Sequence, residues 1–195
     1  MKRLVLGLLL LAATPLFAIN TNVLRKGDRV AVLRMSEDFE LRSERIVAGA
    51  IESGLPRELR KRGFDAVESR LTYDDLRRGD DGGAKYYVEV VSARAADRGV
   101  GEIGTAAANV YASVGVIVSR VAAEVRLYDG KTLELVDRWS LSRKSTSVQP
   151  TSVGVGGRSI FAAIALPFFQ YGQYSGAASD IARDAAERIA QAAAP

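Results

Sequence analysis

The sequence predicts an α+β (or α/β) fold, with one mixed β-sheet of about five strands backed by a helix in the N-terminal half and a C-terminal helix. Two short β-rich stretches, at residues 29–33 and 64–69, flank a segment with helical periodicity. Apolar and polar residues alternate along residues 117–128, as expected for a strand buried on one face. This alternation, followed by turn residues and a second β-rich run, predicts a long antiparallel hairpin.

The N-terminus has the composition of a secretory signal peptide. Lys2 and Arg3 precede an apolar run of roughly ten residues, too short to span a membrane, and small Ala18 offers a cleavage site before Ile19. We therefore expect a signal peptide at residues 1–18 and one mature domain at residues 19–195, located in the periplasm. The cleavage region has no cysteine for a lipid anchor.

The chain contains no cysteine and no histidine. Disulfides, thiolate nucleophiles, zinc sites and serine–histidine catalytic systems are therefore excluded. A signal peptide without a disulfide framework favours a bacterial periplasm over a eukaryotic secretory route. The net charge of +4 comes without any basic block, so nucleic acid is not an expected partner.

The first element after the leader is a buried strand at residues 28–34. Residues 36–62 then show helical spacing of apolar side chains. Pro56 lacks a backbone donor, so we expect a kink or a restart of the helix there. Lys61, Arg62 and Gly63 are typical of a helix C-terminus.

A second strand is expected at residues 64–69, a polar loop at 74–83 and a third strand at 86–93. Residues 99–115 are rich in glycine and alanine and are interpreted as a loop that leads into the long strand.

Asp129 and Gly130 predict a tight turn with positive φ between residues 117–128 and a returning strand at 131–144. Residues on the core side of that strand are Leu133, Leu135, Trp139 and Leu141. A flexible glycine-rich and apolar segment is expected at residues 145–176, with a polar linker at 145–157, before an alanine-rich helix at 177–194.

This order of elements resembles a group of bacterial envelope domains: the curli-secretion lipoprotein CsgG, the penicillin-binding-protein activator LpoB and the N-terminal domain of TolB. The resemblance lies in RVAVL at residues 29–33, LRKRGFDAVES at 59–69, the YYVEV strand, and VRLYDGKTLELVDRWS at 125–140. It implies a mixed sheet backed by helices and a role in binding or assembly at the envelope, and it supplies no catalytic residues. The long membrane-crossing hairpins of the curli secretion channel are not evident in the sequence.

Three motifs are candidate sites. Gly99, Gly101 and Gly104 match the glycine spacing of a dinucleotide loop, with Glu124 twenty residues after the last of them, but no strand leads directly into them, which favours a plain glycine loop. Four aspartates could offer oxygen ligands to calcium, but their spacing favours a solvated turn: Asp74, Asp75, Asp80 and Asp81. Three acids could form a carboxylate pair, or could simply favour a helix start: Glu37, Asp38 and Glu40.

The stretch at residues 160–174 concentrates large apolar side chains between glycines. It either packs on its own domain or forms a contact for a partner protein, another copy or a membrane surface. Its candidate contact residues are Phe161, Ile164, Leu166, Phe168, Phe169, Tyr171 and Tyr174.

These observations favour a non-enzymatic exported envelope protein that binds or helps assemble another envelope component. The expected partner is an envelope protein or another copy of the chain, with peripheral membrane contact as a further option. No catalytic residue, metal or cofactor is predicted. Two alternatives stay open: a carboxylate-dependent hydrolase of envelope glycans, which needs two acids flanking a cleft, and a soluble carrier of an apolar ligand, which needs an apolar cavity.

Overall fold

The computed structural model describes residues 24–35, 41–107, 110–155, 158–159 and 162–193. Within these ranges, the side chains of residues 105–112, 149–171 and 173 are not described. The predicted signal peptide and the acids Glu37, Asp38 and Glu40 lie outside the described residues.

The chain forms one mixed sheet with helices, as predicted. Its elements are, in order, β1 (Arg29–Val32), α1 (Arg42–Lys61), β2 (Asp65–Glu68), α2 (Tyr73–Arg77), β3 (Tyr86–Ala107), β4 (Val110–Asp129), β5 (Leu135–Val155), β6 (Arg158–Ser159) and α3 (Ala162–Ala192). The strand order is β2-β1-β3-β4-β5-β6, in which β6 contributes only two residues. β1 pairs in parallel with β2 and β3, and the later strands pair antiparallel.

Alternating side chains divide the sheet into two faces. Even positions of β1, such as Val30 and Val32, join the main core under α1 and α3. Ala31, and Leu33 just after the strand, join a smaller cluster with Leu76 of α2. The period of two along a strand therefore gives β1 two buried faces, as its apolar run predicts.

Helix α1 buries one apolar face, as the helical spacing of its apolar residues predicts, because Val47, Ile51, Leu55 and Leu59 are all fully buried. Of the kink or restart expected at Pro56, the restart is wrong, because one helix runs from Arg42 to Lys61 with Pro56 inside it. Pro56 is itself buried, and its neighbours Leu55 and Leu59 hold this turn in the core despite the missing backbone donor. Gly63 follows with φ of 91°, which confirms the predicted helix end.

The predicted loop at residues 74–83 begins with a short helix instead. Thr72 and Asp75 form a reciprocal capping box at the start of α2, in which the Thr72 backbone N–H donates to Asp75 Oδ2 at 2.8 Å. This spacing of threonine and acid is a known helix start that the loop interpretation missed.

The long strands extend well past their predicted limits. Residues 99–107 continue β3, residues 110–115 belong to β4, and β5 runs on through residues 145–155. The interpretations of 99–115 as a loop and of 145–157 as a linker are therefore wrong. β3 accommodates its irregular composition with register shifts between Val90 and Ser92 and between Gly99 and Gly101.

The β4–β5 pairing confirms the predicted hairpin, with Val121, Val125 and Leu127 fully buried. The tight two-residue turn is wrong, because residues 130–134 connect the strands and the Asp129 N–H donates to the Glu134 carbonyl at 3.0 Å. On β5, Trp139 and Leu141 pack partly buried against the main core.

The other two residues predicted on the core side behave differently. Leu135 is 48% exposed, and Leu133, which precedes β5, packs against the smaller cluster. In the described part of the chain, no helix is both long enough and apolar enough to cross a membrane.

Candidate functional site

The candidate site is a three-stranded extension of the sheet, here called the arm, made of residues 94–107, 110–122 and 142–155. At the near end of the arm, Val121 of β4 is still part of the main core and Ala95 of β3 packs against it, and beyond these two no described residue of the arm belongs to that core. At a rise of about 3.3 Å per residue, the β3 part of the arm is roughly 45 Å long. The arm is therefore longer than the rest of β3, which covers only residues 86–93, and core formation does not explain it.

The two faces of the arm differ in exposure. On the face that continues the helix side of the sheet, Ser113 is 8% exposed and Ser119 is fully buried. On the opposite face, called the outer face, Ile103 is 80% exposed, Val114 46% and Val148 67%. Because directly paired residues share a face, Ile103 lies beside Val114, and Val116 beside Val148. The outer face of the arm therefore presents an apolar cluster to solvent.

A hydrogen-bond network attaches the arm to α3. The Tyr174 hydroxyl donates to Asp97 Oδ2 at 2.6 Å, and Ser119 donates to Asp97 Oδ1. Burial raises the pKa of the Tyr174 hydroxyl well above its usual value, and the hydrogen bond to Asp97 raises it further. Tyr174 therefore remains a protonated donor, and the arm is held in one orientation relative to the helix.

A second polar feature is a cleft at the carboxyl ends of β1 and β2, where Glu52 of α1 lies half-buried. The cleft has a volume of about 180 Å³ and is lined by Val32, Leu33, Arg34, Gly49, Glu52, Ser53, Glu68 and Ser69. Glu52 Oε1 has no hydrogen-bond partner among the described residues. Burial raises the pKa of Glu52 to about 7, although a backbone hydrogen bond from Met35 and the charge of Arg34 oppose this rise.

Replacing Glu52 by glutamine is expected to remove a pH dependence of stability. Between its usual pKa of 4.5 and about 7, Glu52 is protonated in the folded chain and ionised in the unfolded chain. The free energy of unfolding of the natural chain therefore falls as pH rises through this window and stays low above it. Since Glu52 is partly exposed, we expect a loss of about 1–2 kcal/mol, roughly half of what a fully buried group would give.

Urea denaturation on both sides of this window measures the effect. Glu52→Gln should match the natural chain below the window and exceed its stability by about 1–2 kcal/mol above it. Glu68→Gln, which neutralises the exposed carboxylate of the same cleft, is the matched control and should show a much smaller gain, because the charge of Glu68 is the smallest of the causes that shift the pKa of Glu52. An equal effect of Glu52→Gln at both pH values would contradict the assignment.

Two of the three candidate motifs, the glycine motif and the aspartate group, do not form sites among the described residues, and the third motif, at residues 37–40, lies outside them. Gly99, Gly101 and Gly104 lie within β3, so they cannot cradle a phosphate at a helix start, and the favoured interpretation as a glycine loop is also wrong. Glu124 forms an ion pair with Arg126 at 2.8 Å. Asp75 caps α2 and pairs with Arg78. The described residues hold no group of acids arranged to bind a metal ion.

The candidate contact residues are placed unevenly. Phe161 lies outside the described residues, and Tyr174 is 6% exposed against the arm. The others lie along the first turns of α3, where side chains are not described: Ile164, Leu166, Phe168, Phe169 and Tyr171. The sequence patterns do not identify Glu52, Asp97 or the arm as parts of a site. For the arm, the glycine-rich composition of residues 100–116 resembles a loop, so the apolar positions among them are not recognised as strand residues.

No family model and no curated protein matches the sequence. Several solved structures are similar. One is a minor lipoprotein from Acinetobacter baumannii, at 10% identity and a TM-score of 0.48, covering 83% of this chain and 92% of that one. Another is lipoprotein B from Nitrosomonas europaea, at 14% identity and a TM-score of 0.44, covering 88% of this chain and 91% of that one.

A third is the PelC dodecamer from Paraburkholderia phytofirmans, at 16% identity and a TM-score of 0.40, covering 83% of this chain and 89% of that one. Similarities of this size do not assign the chain to a family.

Proposed function

We propose that the chain is a non-enzymatic exported protein of the cell envelope that works in the periplasm and binds or helps assemble another envelope component through the arm. The observation that carries this proposal is the exposed apolar cluster on the outer face, with Ile103 80% and Val148 67% exposed. Contiguous apolar surface at the end of a long, anchored sheet extension is typical of an interaction element. The signal peptide predicted at residues 1–18 supplies the route to the envelope.

The composition supports a binding role over catalysis. Without histidine or cysteine, the chain lacks the side chains that most often transfer protons or attack substrates near neutral pH. Glu52 and Glu68 do share a cleft, which is the arrangement a carboxylate hydrolase requires. At about 180 Å³, however, this cleft is smaller than the roughly 300–1,000 Å³ typical of ligand sites.

A carrier of apolar ligands finds less support. A cleft of about 490 Å³ lies at the bulge of β3, where Val100, Val116 and Ile117 supply apolar walls, but charged Asp97 and Glu102 and three glycines make up the rest of its lining. An apolar ligand needs walls of large hydrophobic side chains, which glycines do not supply.

Residues 160–174 are proposed as a second part of the binding element. Tyr174 donates a hydrogen bond to Asp97 in the arm, so the turns of α3 that precede Tyr174 are joined to a residue that contacts the arm. Phe168 and Phe169 are large aromatic anchors of the kind that contribute most to interface energies.

Site-specific photo-crosslinking in cells tests the proposed function. A photoreactive phenylalanine analogue placed at Val148 or at Phe169 should form adducts, protein or lipid, that mass spectrometry identifies. The control position is Arg57 on α1, whose side chain is 63% exposed and far from the arm in sequence. Adducts at the two test positions but not at Arg57 are expected. Absence of any adduct at Val148 and Phe169 would overturn the proposed function.

Serine substitution separates binding from folding in the same cells. The double substitution Phe168→Ser and Phe169→Ser should abolish the adducts formed at Val148, or the binding of the molecules identified in them. The melting temperature should stay unchanged. If the melting temperature instead falls by several degrees with the adducts intact, residues 160–174 belong to the core and the contact role of this segment is wrong.

A further inference from the structure

Next to the apolar cluster, the outer face of the arm carries four cations. Arg120 on β4 pairs directly with Lys144 on β5. Arg94 and Arg98 of β3 are the diagonal neighbours of Arg120, since they pair with Ala122 and Val118. All four side chains are exposed, and none forms an ion pair with a residue that the structure describes.

Folding does not account for this cluster. Like charges placed directly opposite each other on adjacent strands destabilise a sheet. The acids nearby are already engaged: Glu124 pairs with Arg126 at 2.8 Å, and Asp97, on the helix side, accepts hydrogen bonds from Tyr174 and Ser119. The positive charge of the outer face is therefore left for an external anion.

The cations and the apolar cluster form one continuous surface. Moving outward along β4, Arg120 comes first, Val118 and Val116 follow, and Val114 beside Ile103 lies farther out. On β5 the same direction runs from Lys144 to Val148. This surface is apolar at its outer end and cationic nearer the core. It therefore matches the boundary between acyl chains and anionic headgroups.

We propose that the outer face of the arm binds an anionic lipid surface, with Ile103, Val114 and Val148 inserted at the acyl boundary and the four cations on headgroup phosphates. The inference rests on the proposed function, since it assigns the component that the arm binds.

A second copy of the chain fits this face less well. A two-fold contact through the same surface would place the cations of one copy against those of the other, with no acid to neutralise them. A soluble anionic polymer would satisfy the cations but leave the apolar cluster in water. Lipid is the occupant that meets both requirements.

Vesicle co-sedimentation of the mature, exported chain tests the inference. The chain should bind phosphatidylcholine vesicles that contain about 30% phosphatidylglycerol, and binding should weaken as salt screens the charges. Arg120→Gln with Lys144→Gln should lower the partition coefficient about 30-fold, since each cation at an anionic surface contributes about fivefold. Ile103→Ser with Val148→Ser should lower it about tenfold, because less apolar surface is buried.

The matched control is Arg45→Gln with Lys131→Gln, which removes two exposed cations elsewhere and should bind like the natural chain. Melting temperatures identify any variant that fails to fold, and the variant with Arg120→Gln and Lys144→Gln should melt no lower than the natural chain, because a like-charge contact has been removed.

Equal binding to pure phosphatidylcholine, or equal loss in the control, would overturn the inference. Self-association that Ile103→Ser abolishes, without vesicle binding, would assign this face to a second copy. Protein adducts at Val148 without vesicle binding would overturn lipid binding and leave the proposed function standing.

Discussion

Gly130→Ala is expected to lower the free energy of unfolding by about 3 kcal/mol or more. A Cβ atom at this position would lie 2.1 Å from the Ala84 carbonyl oxygen and 2.8 Å from the Lys85 carbonyl carbon. Both are backbone atoms of the two residues just before β3, so neither can rotate away. The Gly130 N–H also donates to the Lys85 carbonyl at 2.8 Å, and a shift that relieves the clash breaks this bond.

Gly172→Ala is the matched control. Gly172 is an exposed residue within α3 and has no atom within 4 Å of the added methyl group. Alanine there should raise the free energy of unfolding by about 0.5–1 kcal/mol, because glycine is a poor helix former. Urea denaturation of both variants measures the two effects. A loss below about 0.5 kcal/mol for Gly130→Ala would show that the loop tolerates the methyl group.

In the loop between β4 and β5, the sequence predicts the right residue, Gly130, for the wrong reason. The pair Asp129 and Gly130 correctly locates the hairpin connection, but the sequence pattern predicts a positive φ at these two residues. In the structure the residue with positive φ is Leu133, at 55°, and Gly130 is needed for its close approach to β3. That approach depends on a contact with residue 84, which local patterns cannot reveal.

Local periodicity predicted the elements whose burial alternates without interruption. β1, α1 and residues 117–128 each keep one regular period, and each lies where the sequence places it. The predictions fail from residue 99 onward in β3 and from residue 145 in β5. There, glycine and serine resemble loop composition, and the shifts at Val90 and Gly99 move later residues of β3 to the opposite face. Pairing with neighbouring strands, which no local window contains, keeps these residues in the sheet.

The candidate sites required the strand register. Arg98 and Lys144 are far apart in sequence, and their proximity on the outer face follows only from their pairing with neighbouring residues of β4. Glu52 looks like an ordinary polar residue on α1, and its burial depends on the ends of β1 and β2. The segment at residues 160–174 was visible from composition alone, yet its contact with Asp97 was not.

Ala182→Leu is expected to have the second large effect on stability. The face of α3 that meets α1 and the sheet is built from alanine, with Ala178, Ala182, Ala185 and Ala186 all fully buried. Opposite Ala182 lies Gly54 of α1, where even one added carbon would lie 3.3 Å from the Ala182 Cβ. The two helices are therefore close together, and the contact leaves no room for a longer side chain.

Leucine at position 182 must push α3 away from α1, which also strains the packing of Ile181 and Ile189 on the sheet. We expect a loss of about 3 kcal/mol in the free energy of unfolding, at the upper end for overpacked cores. Ser179→Leu adds a similar side chain on the exposed face of the same helix and should change stability by less than about 0.5 kcal/mol. Urea denaturation of the two variants distinguishes steric crowding from a general effect of leucine. Equal stability of Ala182→Leu and Ser179→Leu would mean that α1 and α3 are not held together at Gly54.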